Sequence, residues 1–422
     1  MFGKFIILKA AFFILLGETL LFFRLNKKFK SQIWFQNFKY LYFLLVLYSI
    51  LQFWNLLTQI TYLSVFFDNY QPLFFKITYI WGFSVYGYCG ILTVYYAFIF
   101  LRFVFFKAKN LILTKETKSK KIIHTESSIT RKDFLYKTGF AIGTFIDASP
   151  FLGTVFIASG LFLGSKEILI ENISIKIHNL PEAFKGYKIV QISDIHIGKN
   201  IDETYLKYCQ GLIKSIKADL LVITGDTIDI NNYYLKYAMR FFTSLLNHFR
   251  DGILAIPGNH DYFDDGEEFS YTFQKSKIKL LRNENYIIKR GKKQLNIIGL
   301  DYAWPHHGNG GKRMKQSKLF YKLASHNVQK DFPAIVLNHH PTDFLWLQNK
   351  PVDLMLSGHT HGGQINFSKE RNSILSPVGW VFKYYKGHYQ ENGSHLYVSR
   401  GLGNSFPVRI NSNPEITVIK LV

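Results

Sequence analysis

Cysteine is almost absent. The chain of 422 residues has two, Cys89 and Cys209, and no disulfide framework or thiolate metal site can be built from them. That scarcity neither assigns nor excludes an oxidising compartment. Acidic residues are also few, 29 Asp and Glu against 51 Lys and Arg, for a formal net charge of +22. Nucleic acid is one class of partner for so basic a chain; anionic lipid head groups and phosphate-bearing substrates are others. Much of the charge lies beside apolar stretches, in residues 24–39 and 107–137. Basic residues in such places report membrane topology rather than recognition, so nucleic acid is set aside.

What the chain has in abundance is apolar and aromatic side chains, 48% and 17% of the total. They crowd into the first 165 residues, and the length exceeds one domain of about 100–200 residues. Apolar runs at Phe5–Phe23, Tyr40–Thr61, Leu73–Phe106 and Gly139–Gly164 predict about four transmembrane helices. The third exceeds the roughly 20 residues that cross a bilayer. The loops after the first and third runs are basic, and placing both in the cytoplasm leaves everything after the fourth run outside. The expectation is a multi-pass protein of the inner (cytoplasmic) membrane: residues 1–165 form the transmembrane region and residues 166–422 an extracytoplasmic domain. Counting the long third run as two helices would invert that orientation. Residues 130–137 resemble a twin-arginine export signal, with Lys132 where its second arginine belongs. Glu18 and Asp147 lie at membrane depth, which makes them functional candidates; hydrogen bonding within the bundle or an interfacial position is the preferred reading.

From about Ile168 the pattern changes to short apolar runs alternating with helical stretches, as in an α/β domain. Strands are expected at Lys188–Ile192, Leu220–Ile223, Ile253–Ile256, Leu295–Gly299, Ala334–Leu337, Asp353–Leu356, Leu396–Val398 and Glu415–Lys420. Five are followed by ligand-type residues: Asp194-x-His196; Gly225-Asp226; Gly258-Asn259-His260-Asp261; His339-His340-Pro341; and Gly358-His359-Thr360-His361. Carboxyl ends of strands in α/β sheets converge on one crevice. Oxygen and imidazole donors without thiolate suit Mn, Zn, Fe or Mg. An extended chain would place Asp194 and His196 on one side, and likewise His359 and His361. The glycines before Asp226, Asn259 and His359 leave room for tight turns.

In this order, the motifs resemble those of the calcineurin-like metallophosphoesterase superfamily. The stretches around Leu180–Ile189, Gly358–Gln364 and Ser399–Gly403 are similar to its membrane-anchored or exported bacterial branch. The resemblance implies a four-layer sandwich of two mixed β-sheets flanked by helices, with a binuclear metal centre at one edge. It assigns Asp194, His196 and His361 to one divalent ion, Asn259, His339 and His359 to a second, and Asp226 to both. It gives His260 the role of binding the phosphate and assisting the leaving group.

His339 is preferred to His340 as ligand because it stands two residues before Pro341. Asp229 and Asp261 are read evenly as orienting neighbouring imidazoles or as turn residues. Arg400 and Arg409 are candidate phosphate contacts, and residues 304–311 read as a surface loop. The expected activity is metal-dependent hydrolysis of a phosphomonoester or phosphodiester, on a lipid-linked or cell-envelope substrate at a membrane surface. The alternative is a non-catalytic metal- or phosphate-binding sensor or scaffold, which would be expected to lose one of these residues.

Overall fold

A computed structural model gives the fold of the chain. It describes all residues except 1, 34, 37, 41, 45, 48–80, 82–83, 86–87, 90, 94, 98, 100, 102–130, 163–166, 199, 305–309, 330, 371–372, 374–375 and 405–407. The chain divides into two compact units, Met1–Ser159 and Gly160–Val422.

In the first unit, helix α1 (Phe2–Phe29) and helix α2 (Arg131–Phe162) are the longest elements. Among the described residues one helical segment, Ile142–Gly160 within α2, is long and apolar enough to cross a membrane. The expected second and third spans fall largely outside the described residues. Both intramembrane candidates have partners inside this unit. Trp81 Nε1 donates to Glu18 Oε1 at 2.8 Å, and Arg24 Nε donates to Asp147 Oδ1 at 2.6 Å. In a low-dielectric setting such pairing is what keeps a buried carboxylate tolerable.

The second unit holds two six-stranded sheets. The first contains β1 (Leu169–Ile175), β2 (Lys188–Ile192), β3 (Leu220–Thr224), β4 (Ile253–Ile256), β5 (Lys279–Leu280) and β12 (Glu415–Leu421), in the order β1-β12-β2-β3-β4-β5. The second contains β6 (Glu284–Arg290), β7 (Lys293–Gly299), β8 (Ala334–Leu337), β9 (Leu354–Ser357), β10 (Gly387–Glu391) and β11 (Ser394–Val398), in the order β10-β11-β9-β8-β7-β6. Both sheets are mixed. β2, β3 and β4 run parallel, as do β7, β8 and β9, while β12 against β2 and β6 against β7 are antiparallel.

Alternate residues of each strand serve different layers. Ile189, Leu220 and Leu254 face Ile297, Ile335 and Leu354 across the space between the sheets. Val190, Leu221 and Ile253 turn the other way, onto α3 (Glu203–Ser215), α4 (Leu235–Thr243) and α5 (Gly266–Gln274). Ile298, Val336 and Met355 pack on α6 (Gly310–Ala324) and the short helix of residues 344–347. Strands covered on both faces must be apolar throughout, which is why β3, β4 and β8 read as unbroken hydrophobic runs.

One buried polar knot fixes α6 to the loop after β8. Asp343 accepts from Arg313 Nη1 and Nη2 at 3.0 and 2.8 Å, Ser317 Oγ at 2.8 Å, Asn338 Nδ2 at 2.9 Å and Trp346 Nε1 at 3.2 Å. Removing one partner of a buried ion pair leaves an uncompensated charge. Asp343→Ala is therefore expected to cost about 3–5 kcal/mol, read as a fall of roughly 10 °C in the melting temperature. A fall under about 2 °C would show that the Arg313 charge is not left uncompensated when Asp343 is removed.

Candidate metal centre

The loops after β2, β3, β4, β8 and β9 bring their ligand-type residues to one place. Asp194, His196 and His361 offer atoms within 4.8 Å of one another, and so do Asp226, His339 and His359. His196 Nε2 and His361 Nε2 stand 3.0 Å apart, with Asp194 Oδ1 3.5 Å from His361 Nε2. His359 Nδ1 is 3.0 Å from Asn259 Oδ1 and 3.3 Å from His339 Nε2. Asp226 lies between the two groups, its Oδ2 3.5 Å from His196 Nε2 and 3.2 Å from His339 Nε2. His339, not its neighbour, meets Asp226; the His340 ring stacks on His359 with centroids 4.5 Å apart.

The local backbone differs from the extended reading of the two Asp/His and His/His pairs. Asp194, His196, Asp226, His359 and His361 all have positive φ, between 49° and 73°. Left-handed residues spaced by one, rather than a flat strand, turn each pair toward the centre. Few non-glycine residues adopt this region, and such strain collects at functional sites. Two of the glycines act through close approach rather than turn geometry. A Cβ on Gly258 would overlap the Asp226 carboxylate, and one on Gly358 would overlap that of Asp194.

The electrostatics suit cation binding. Burial, then the charges of His196 and Arg409, hold His361 well below the ordinary imidazole range. Burial and His339 bring His359 down to about 3. Neutral imidazole is the form that ligates a metal. The Asp226 carboxylate favours charge on His339 despite its burial, the opposite direction from His359 and His361; His339 Nδ1 lies 2.7 Å from the Thr224 carbonyl, so a neutral ring would carry its proton there and present Nε2. Buried carboxylates, an amide oxygen and imidazole nitrogens converging in one place form a donor set that fits divalent ions.

Similarity to known proteins agrees with this geometry. A family model described as calcineurin-like phosphoesterase matches residues 187–363. The metallophosphoesterase YkuE of Bacillus subtilis is 35% identical over 254 residues, covering 59% of this chain and 83% of that protein. The chain belongs to the calcineurin-like phosphoesterase family. It is accordingly a hydrolase acting on phosphoester bonds. A bovine transmembrane protein with metallophosphoesterase domain is 27% identical over 282 residues, 64% of this chain and 60% of that one. The UDP-2,3-diacylglucosamine pyrophosphatase LpxG of Chlamydia trachomatis is 26% identical over 296 residues, 57% of this chain and 86% of that one.

The remaining polar residues of the phosphoesterase separate into distinct duties. His260 donates its backbone N–H to Asp226 Oδ1 at 2.8 Å, and its Nδ1 lies 2.7 Å from the Asp229 carbonyl. Asp229 Oδ1 is also 3.3 Å from His260 Nδ1 and 3.5 Å from His196 Nδ1, so this carboxylate is the charge neighbour of two imidazoles. Asp261 instead accepts backbone N–H groups of Thr227, Ile228 and Gly258 at 2.9, 3.2 and 2.8 Å, tying the loops after β3 and β4 together. Neither arginine is available for phosphate. Arg400 pairs with Glu171 and Glu415 at 2.5 Å each, and buried Arg409 donates to the carbonyls of Arg400, Gly403 and Ser412. Residues 305–309 of the His- and Gly-rich loop lie outside the described residues.

Sequence reasoning missed an aromatic ring around the centre. Phe263 packs on His260 with centroids 4.4 Å apart, Trp304 on Phe263 at 6.4 Å and Tyr302 on Trp304 at 5.0 Å. Tyr302 then approaches His359 at 6.3 Å, and Phe382 lies 5.9 Å from the same imidazole. These residues come from three loops with no shared spacing, so no periodic signal marks them.

Proposed function

We propose that the chain is a membrane-held phosphoesterase with a two-ion centre. Its extracytoplasmic domain, residues 166–422, hydrolyses a phosphomonoester or phosphodiester of a lipid-linked or cell-envelope molecule. The observation that carries this reading is Asp226, whose carboxylate lies between two separate donor groups, 3.5 Å from His196 and 3.2 Å from His339. Asp194, His196 and His361 would hold one divalent ion and Asn259, His339 and His359 the other, with Asp226 placed to serve both. Bound ions supply charge stabilisation at the phosphoryl oxygens and a lowered pKa for the attacking water.

The protein's own groups do the rest. Asp226 limits the repulsion between two cations. Burial would lower the pKa of His260, but the Asp226 and Asp229 carboxylates outweigh it and hold the ring at about 9. Its Nδ1–H is engaged by the Asp229 carbonyl, leaving Nε2–H to bind a phosphoryl oxygen and to protonate the departing alkoxide. Support for a lipid-linked substrate comes from the similarity to LpxG, named for a diacylated sugar nucleotide. The relatives named as transmembrane proteins and the apolar segment Ile142–Gly160 support the membrane location.

The test is hydrolysis of bis-p-nitrophenyl phosphate and p-nitrophenyl phosphate by the detergent-solubilised chain, stripped and reloaded with Mn, Zn, Fe or Mg. Two ions per chain and metal-dependent turnover are expected. A folded chain that takes up two ions yet cleaves neither ester nor a phospholipid with any metal would favour a sensor instead.

A further inference from the structure

The apolar side chains that this domain leaves in solvent are not scattered evenly. Among the described residues of the second unit, the four most exposed large ones are Val381 at 78%, Trp380 at 71%, Ile230 at 60% and Tyr233 at 59%. Phe367 at 55% and Phe263 at 48% belong with them, whereas Tyr271, Leu323, Tyr208 and Leu319, at 53–57%, stand apart on the outer helices α3, α5 and α6. Ile230 and Tyr233 lie in the loop after β3, Phe263 in the loop after β4, and Phe367, Trp380 and Val381 in the long connection after β9. Those strands are parallel within their sheets, and the same loops carry Asp226, His260 and His359. The tips after β3 and β4 therefore lie on the edge that holds the metal centre, and Phe263 on His260 and Phe382, next to Val381, on His359 join the rim to the aromatic ring around it.

Aromatic and aliphatic tips concentrated around a site mark an interaction surface. Their chemistry indicates which kind. Trp and Tyr mixed with lysine are the side chains of a membrane interface, where an apolar body and a polar tip are both accommodated. Lys236 lies over the Tyr233 ring at 3.8 Å. Most acidic neighbours are engaged with the protein itself, Glu267 being the exposed one. Asp264 accepts from Asn232 N, Asp265 caps α5, and Glu268 accepts from Asn232 Nδ2; Glu391 pairs with Lys383 at 2.9 Å. Lys236, facing outward beside Tyr233, complements an anionic lipid head group.

We propose that this rim docks onto a lipid bilayer. Ile230, Tyr233, Phe263, Phe367, Trp380 and Val381 enter the interfacial layer, and the metal centre is thereby held at head-group level. The inference deepens the reading of a lipid-linked phosphoester. It explains how such an ester reaches the centre without leaving the membrane: the phosphate meets the histidines while its apolar part stays among lipid chains.

The test uses the full chain in vesicles of phosphatidylethanolamine and phosphatidylglycerol. Nitroxide labels are placed by Val381→Cys and Ile230→Cys in a Cys89→Ser background, Cys209 being buried. A control label at Lys293→Cys stands at the opposite end of β7 from Trp304. Collision with oxygen relative to a water-soluble nickel chelate is expected to be at least about fivefold higher at both rim positions than at the control. Equal ratios at all three positions overturn the proposal. Labels shielded from both reagents also overturn it, because they put a protein surface over the rim. Quenching of Trp380 by doxyl lipid, taken as the difference from Trp380→Phe, gives an independent reading should a cysteine variant fail to fold. Turnover of bis-p-nitrophenyl phosphate by the unlabelled chain is scored separately, so a rim in the bilayer without turnover would sink the enzyme reading alone.

Discussion

Asp226→Asn should reduce turnover of bis-p-nitrophenyl phosphate by about a thousandfold or more while leaving the chain folded. The substitution keeps the shape of the side chain and removes its charge. The amide oxygen can still accept from the His260 backbone N–H, as Asp226 Oδ1 does at 2.8 Å, so the loop after β4 keeps its anchor. The anion that serves both donor groups is lost, and with it several kcal/mol of charge stabilisation, which at 1.36 kcal/mol per decade is on the order of 10³-fold in rate. Bound ions counted by elemental analysis should fall below two per chain, and the melting temperature should change by only a few degrees. A kcat within tenfold of the unsubstituted chain would show that Asp226 is not shared between two ions.

His260→Ala should lower kcat by about 10²- to 10⁴-fold, the range that general acid catalysis supplies. The size of the loss should depend on the leaving group. An alkoxide leaves as a strong base and needs a proton in the transition state, whereas p-nitrophenolate departs without one. The variant should therefore be most damaged on alkyl phosphates, and a series of esters should show a steeper dependence on leaving-group basicity. Asp229→Asn, which weakens the hold on the His260 ring, should reproduce the effect at about 10- to 100-fold. Equal losses for alkyl and p-nitrophenyl esters would confine His260 to phosphate binding.

Much of the central sheet was legible because burial on both faces imposes an unbroken apolar run. β2, β4 and β8 occupy the residues expected for them, and β3, β7, β9, β11 and β12 differ by one or two at their ends. The four strands that escaped are those at the sheet edges. β1 alternates exposed and covered residues and includes Glu171, and β6 carries Glu284, Lys289 and Arg290; half-solvated edges dilute the apolar signal. β10 is another edge strand, and β5 is two residues long.

The candidate centre was legible for a topological reason. Each ligand-type residue follows a strand in sequence, and parallel strands end on one side. What could not be read was anything set by contact between distant segments. Nothing near Asp229 in sequence separates its role from that of Asp261; the first reaches two imidazoles and the second three backbone amides. Arg409 looked like a phosphate contact because its charge is visible in sequence, while the carbonyls that occupy its donors are not.

The left-handed backbone at Asp194, His196, Asp226, His359 and His361 sets a direction for drift in this lineage. Each such residue carries an energetic cost of about 1–3 kcal/mol relative to one that adopts the conformation freely, against a net stability of only about 5–15 kcal/mol for a whole domain. Glycine at any of the five would relieve that strain and remove a donor in the same step. A population screened only for thermal tolerance should therefore accumulate glycine there, and a descendant freed from its chemistry should become sturdier as its centre dissolves.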